Sequence, residues 1–129
     1  MPSARAIKTL VVDDQLTIRQ LVRSGLQQIG ITNIETACDG EEGLKSLLTT
    51  PSHLVISDVN MPKLDGIDLL RAVRSHAPLK STAFIILTGR AEKDVVQRAM
   101  QYGVNNFLVK PFSVDVLREK IEQVFGKLT

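Results

Sequence analysis

The chain alternates, five times over, a short apolar run with a longer stretch of helical period. The runs are IKTLVV (7–12), NIETA (33–37), HLVISD (53–58), FIILT (84–88) and NFLVK (106–110). Most are too short for helices and are bounded by polar or turn residues, so they predict strands, mostly buried on both faces. Between them apolar residues recur at spacings of three and four, as one face of a helix does. The faces are Ile18, Leu21, Val22, Gly25 and Ile29; then Leu44, Leu47 and Leu48; then Ile67, Leu70, Val73 and Ala77. Val95, Val96, Ala99 and Met100 mark the fourth, and Val114, Leu117, Ile121, Val124 and Leu128 the last. Gly30, Pro51, Pro78 and Gly103 close the first four, and Ser113 is a good N-cap for the fifth.

Strict strand–helix alternation predicts an α/β fold with a parallel sheet covered on both faces. Right-handed crossovers cover both faces only if the strand order reverses somewhere, and ligands bind in the crevice at that reversal, beyond the strands' carboxyl ends. A length of 129 residues excludes a closed eight-unit barrel and predicts one domain over 1–129. Net charge is +2, and from Arg90 onward seven Lys/Arg are interleaved with five Asp/Glu, so no basic face for DNA is signalled. The single cysteine, Cys38, cannot form an intrachain disulfide and is expected as a small core hydrophobe. No apolar run approaches a membrane span and the N-terminus lacks the apolar centre of a signal peptide, so a cytoplasmic protein is expected.

The functional signal is what stands at the predicted carboxyl ends. The first strand runs into Asp13 and Asp14, the third into Asp58, the fourth into Thr88 and the fifth into Lys110. The second ends near Ala37 and Cys38 and offers nothing obvious. Adjacent like charges call for a cation that both can face. Three carboxylates without His or Cys suit a hard, oxygen-seeking ion, and Mg²⁺ fits best because it accepts few carboxylates and keeps waters for exchange with phosphate. No D-x-D-x-D-G calcium loop is present. Three carboxylates, one Mg²⁺ and one ammonium sum to about zero, a balance that can take on a phosphoryl group. A carboxylate is itself a competent nucleophile for phosphoryl transfer. Gly89 after Thr88 leaves room for an oxyanion to approach the backbone.

Four segments, LVVDDQ, SDVNMPKLDG, IILTG and NNFLVKPF, occur in this order, each at a predicted strand end. On these the chain resembles the receiver domains of two-component response regulators, most closely the single-domain, chemotaxis (CheY-like) type, over residues 5–128. The resemblance implies a doubly wound five-stranded sheet of flavodoxin-like order 2-1-3-4-5. It implies Asp58 as the phosphorylated aspartate and Asp13 and Asp14 as the acidic pair, one on Mg²⁺ directly and one largely through water. The backbone carbonyl of Asn60 joins the metal, Thr88 and Lys110 take phosphoryl oxygens, and the Lys110–Pro111 bond is cis. Thr88 and Phe107 form the switch.

The implied partners are a histidine kinase as phosphodonor and a downstream protein, a flagellar motor switch protein being the commonest, bound through the face of helix 4, strand 5 and helix 5. Lys93, Gln97, Gln101, Asn106, Lys120 and Gln123 are candidate contacts on that face, and a monomer is expected. Two positions depart from the chemotaxis pattern. Phe107 stands where Tyr is frequent, and Arg90 stands where an acidic residue is usual, so Arg90 is expected to border the attacking water's path and alter the phosphate lifetime.

Other residues read as structural. Asp65 and Asp68 belong to a turn and a first helical turn, and His53 and His76 are expected exposed. Met61 and Tyr102 are expected to pack. Competing functions fit less well. A haloacid-dehalogenase-like phosphohydrolase wants D-x-D where this chain has DD, and a flavin or nucleotide binder wants a Ser/Thr/Gly-rich loop where it has DDQLT. A pseudo-receiver would not need the complete acidic, Thr and Lys set. Phosphate-sink and phosphorelay roles, and binding of a diguanylate nucleotide, stay open at this point. The protein is not expected to be an enzyme on any external metabolite.

Overall fold

The computed structural model describes residues 3–89 and 93–129. The expectations attached to Arg90, and to a fourth helix starting near Ala91, lie outside the described residues. Five strands, β1 (Lys8–Val12), β2 (Asn33–Ala37), β3 (Leu54–Asp58), β4 (Ala83–Thr88) and β5 (Asn106–Val109), alternate with five helices. These are α1 (Leu16–Ile29), α2 (Gly40–Thr49), α3 (Gly66–Ser75), α4 (Lys93–Gln101) and α5 (Val114–Phe125). All pairings are parallel, in the order β2-β1-β3-β4-β5, so the doubly wound expectation holds.

Alternation along the strands sends side chains to two separate cores. Val11, Ile56, Ile85, Leu87 and Leu108 pack with Val22, Leu26 and Ile29 of α1 and Leu117 and Ile121 of α5. Leu10, Val12, Val55, Phe84 and Ile86 pack on the other face with Leu47 of α2, Leu70 and Val73 of α3 and Ala99 of α4. The helix ends follow local chemistry. Asp39, Asp65 and Ser113 each accept a hydrogen bond from the backbone N–H three residues on, and Gly30 closes α1 with φ at 104°, in the left-handed region that glycine adopts freely.

The predicted helix faces are right in direction and too wide. Leu21, Leu48 and Met100 are exposed at 55%, 52% and 65%, whereas Leu26, outside the predicted stripe, is fully buried. Ala77 lies beyond α3, exposed in a 3-10 turn ahead of β4, and Leu128 is buried but lies beyond the end of α5. Cys38 is also corrected: it is exposed, because β2 is the sheet edge and the residue after it turns outward. Its Sγ lies 2.9 Å from Oε2 of Glu42, and that carboxylate holds the thiol above its usual range.

At the amino ends of the strands, Arg74 at the end of α3 ties three segments together. Its guanidinium donates to the carbonyls of Gly103, Thr82 and Lys80 and to Oδ1 of Asn105, at 2.6 to 3.2 Å. The same Asn105 oxygen accepts from Phe84 N–H at 2.7 Å. No helix among the described residues is long and apolar enough to cross a membrane.

Candidate functional site

Register brings the acidic residues together. Val12 of β1 pairs with Ser57 of β3, so the next residue on each chain, Asp13 and Asp58, meets the other at the point where the strand order reverses. Thr88 of β4 pairs with Val109 of β5, and Lys110 follows, its N–H donating to the Thr88 carbonyl at 2.8 Å. Parallel strands leave all these residues at one end of the sheet. One oxygen from each of Asp13, Asp14 and Asp58 lies within 4.8 Å of the others.

Lys110 Nζ completes the cluster, 3.4 Å from Asp13 Oδ2 and 3.3 Å from Asp58 Oδ1. Its side chain is only 22% exposed, so it is not a solvated surface lysine. Asp13 is fully buried. Burial raises its pKa, the Gln15 N–H on Oδ1 at 2.9 Å opposes that, and the Asp58 charge adds to the rise while Lys110 lowers it. Asp58 accepts from the Val59 N–H through Oδ1, and Asp14 is exposed toward solvent. Three carboxylates against the Lys110 ammonium and the Arg19 guanidinium on the Asp13 carbonyl leave negative charge in excess among the described residues. The donor set therefore fits a hard divalent cation.

The remaining predicted residues fall around this cluster. Thr88 is buried at the end of β4, and Asn60 is exposed two residues beyond Asp58. Phe107, paired with Ile86, is half-buried against the core on the α2–α3–α4 face. The Lys110–Pro111 bond is cis. Asp65 and Asp68 stay outside: Asp65 caps α3 by accepting from Asp68 N–H at 2.8 Å. His53 and His76 are exposed, and His53 lies just before the amino end of β3, away from the crevice. Met61 packs beside the core, and Tyr102 does so too, with the Arg71 guanidinium 5.7 Å from its ring centre.

Two further contributors stand beside the residues expected from the sequence. Arg19 of α1 donates to the backbone carbonyl of Asp13 at 2.7 Å. The β2–α2 turn is also part of the surroundings. Gly40 N–H donates to Leu64 O at 3.1 Å, and Lys63, with φ at 69°, lies 3.8 Å from Asp39. A Cβ on Gly40 would fall on Leu64 O, and one on Gly66 would fall on Asp58 O. The repeated Asp-Gly pair at 39–40 and 65–66, each opening a helix, was the available signal.

Comparison with known proteins agrees with this geometry. Residues 9–122 match the family model of the response regulator receiver domain. The chain is 51% identical over 128 residues to a probable chemotaxis protein CheY of Rhizobium etli, covering 99% of each. Its structure is similar to that of chemotaxis protein CheY4 of Vibrio cholerae, with a TM-score of 0.86 and 36% identity over 92% of this chain and 98% of that one. It is also similar to a CheX–CheY complex of Borrelia burgdorferi carrying BeF₃ and Mg²⁺, with a TM-score of 0.85 and 26% identity over 92% and 89%. On the sequence match and the shared architecture together, the chain belongs to the response regulator receiver domain family.

Proposed function

We propose that this protein is a stand-alone chemotaxis response regulator that accepts a phosphoryl group on Asp58 and thereby changes its binding to another protein. The observation that carries this reading is the meeting of three carboxylates within 4.8 Å, with Lys110 bridging two of them. Asp13, Asp14, Asp58 and the Asn60 carbonyl would hold Mg²⁺. That ion, when bound, neutralises phosphoryl oxygens and so favours the approach of an anionic donor to an anionic nucleophile. The CheX–CheY complex of Borrelia burgdorferi, which carries Mg²⁺ and BeF₃, supports this assignment.

The chain's own groups divide the chemistry. An oxygen of Asp58 forms a bond to phosphorus as the bond from phosphorus to the donor's nitrogen breaks, and the leaving imidazole keeps that electron pair and takes up a proton. Lys110 would release its contact with Asp58 and pair with a phosphoryl oxygen, while the Thr88 hydroxyl would give a hydrogen bond to another. Neither exposed histidine lies at the crevice, so the phosphoryl group comes from outside the chain, and a histidine kinase fits the receiver family as its donor. The phosphorylated protein then acts in the cytoplasm on a downstream target through α4, β5 and α5, and a flagellar motor switch protein fits the chemotaxis relatives.

Incubation with Mg²⁺ and a small-molecule phosphodonor should add one acid- and base-labile phosphoryl group, mapped to Asp58 by mass spectrometry. Asp58→Asn should abolish it, and a label that persists in that variant would sink the assignment. Mg²⁺ affinity should drop at least tenfold in Asp13→Asn and stay unchanged in Asp65→Asn, whose carboxylate caps α3.

A further inference from the structure

We infer that Arg19 is a positioning residue for the divalent cation, an inference that rests on the Mg²⁺ site proposed above. Asp13 and Asp14 occupy the turn between β1 and α1, and α1 begins without help from its own cap. Gln15 at the N-cap makes no side-chain capping bond, and no acidic residue lies in the first turn. The turn is ordered by two other bonds. Gln15 N–H donates to Asp13 Oδ1 at 2.9 Å, and the Arg19 guanidinium reaches back six residues to the Asp13 backbone carbonyl at 2.7 Å. Arg19 is itself fixed one turn into the helix, its N–H donating to Gln15 O at 3.1 Å. The side chain therefore closes a ring with the backbone from Asp13 to Arg19, the turn that carries both carboxylates.

Charge alone does not account for a guanidinium there. A positive group beside a cation site repels the cation, so on Coulomb grounds Arg19 opposes Mg²⁺ binding. Geometry acts the other way. Mg²⁺ demands near-octahedral ligands at short distances and tolerates little displacement of a carboxylate. A charge-assisted bond to the Asp13 carbonyl holds the peptide that links Asp13 to Asp14, and so fixes both side chains relative to Asp58. The two effects predict opposite signs when the side chain is removed.

The test is isothermal titration of Mg²⁺ into wild type, Arg19→Ala and Arg19→Lys, with the metal-free melting temperature of each. Positioning predicts that Arg19→Ala weakens Mg²⁺ binding about tenfold, the scale of one charge-assisted hydrogen bond. Asp58 labelling would then reach half-maximum at correspondingly higher Mg²⁺. Arg19→Lys keeps the charge and loses the planar fork, so it should also weaken binding, by a smaller factor. It supplies the comparison if Arg19→Ala does not fold. Unchanged or tighter binding in the variants overturns the inference, and so does a lower metal-free melting temperature with unchanged affinity. Wild type that takes up no Mg²⁺ overturns the site itself, whereas normal wild-type binding with indifferent variants overturns only the role of Arg19.

Discussion

Gly66→Ala should cost about 3 kcal/mol of stability, and with it the order of Asp58. The added Cβ would land on the carbonyl oxygen of Asp58 and come within 3.0 Å of Val59 Cα. Neither is the end of a flexible side chain. Asp58 O ends a central strand, and Val59 is buried with its carbonyl accepting from Gly66 N–H at 2.8 Å. Relief therefore requires moving the end of β3 or the start of α3. For a domain of this size the expected fall in melting temperature is roughly 10 °C. Gly89→Ala is the control, since a Cβ there meets nothing within 4 Å, and its stability should stay within about 0.5 kcal/mol of wild type. A Gly66→Ala protein that melts like wild type would show that the turn yields more easily than its contacts imply.

Phe107→Ala should remove most of the difference in partner affinity between the protein with and without beryllofluoride. A metal site signals only if some element has two arrangements that the phosphoryl group biases. Thr88 ends β4, and Phe107 lies on the neighbouring strand, half-buried beside the core. If Thr88 moves toward the phosphoryl group, it vacates space that the ring can enter by a rotamer change. Full burial of an aromatic ring is worth about 1.5–3 kcal/mol over exposure, so even part of that shifts a two-state population by roughly tenfold. Phe107→Tyr retains the ring and should change affinity only modestly. If Phe107→Ala keeps the full beryllofluoride effect, the ring is not the switch.

How much of this was readable beforehand depends on what kind of contact is involved. Strict alternation of strands and helices favours parallel pairing, and parallel pairing sends every carboxyl end to one side, so Asp13, Asp58, Thr88 and Lys110 could be gathered from the sequence. Helical period gives the direction of a buried face and not its width. Leu21 and Met100 satisfy the spacing yet stand beyond what neighbouring elements cover, and Leu26 is buried outside the stripe. Cys38 was misplaced for a related reason: its apolar character says nothing about lying past the end of an edge strand. Arg19 on the Asp13 carbonyl was invisible because a backbone oxygen is the same at every residue, whereas the approach of Gly40 to the Leu64 carbonyl left a trace in the repeated Asp-Gly pair.

The Arg74 ties give α4 the mechanics of a lever. They fix the segment just past its carboxyl end, through Gly103 and Asn105, to α3 and the start of β4, while its amino end follows β4 from the crevice. Nine residues at about 1.5 Å each make a shaft about 13 Å long, so a tilt of roughly 10° about the moored end carries the other end some 2 Å. A movement too small to matter at the pivot thus becomes a displacement large enough to remodel a contact surface. The sheet's amino end would be the fulcrum of such a tilt, and a phosphoryl group bound at the carboxyl end would supply the push.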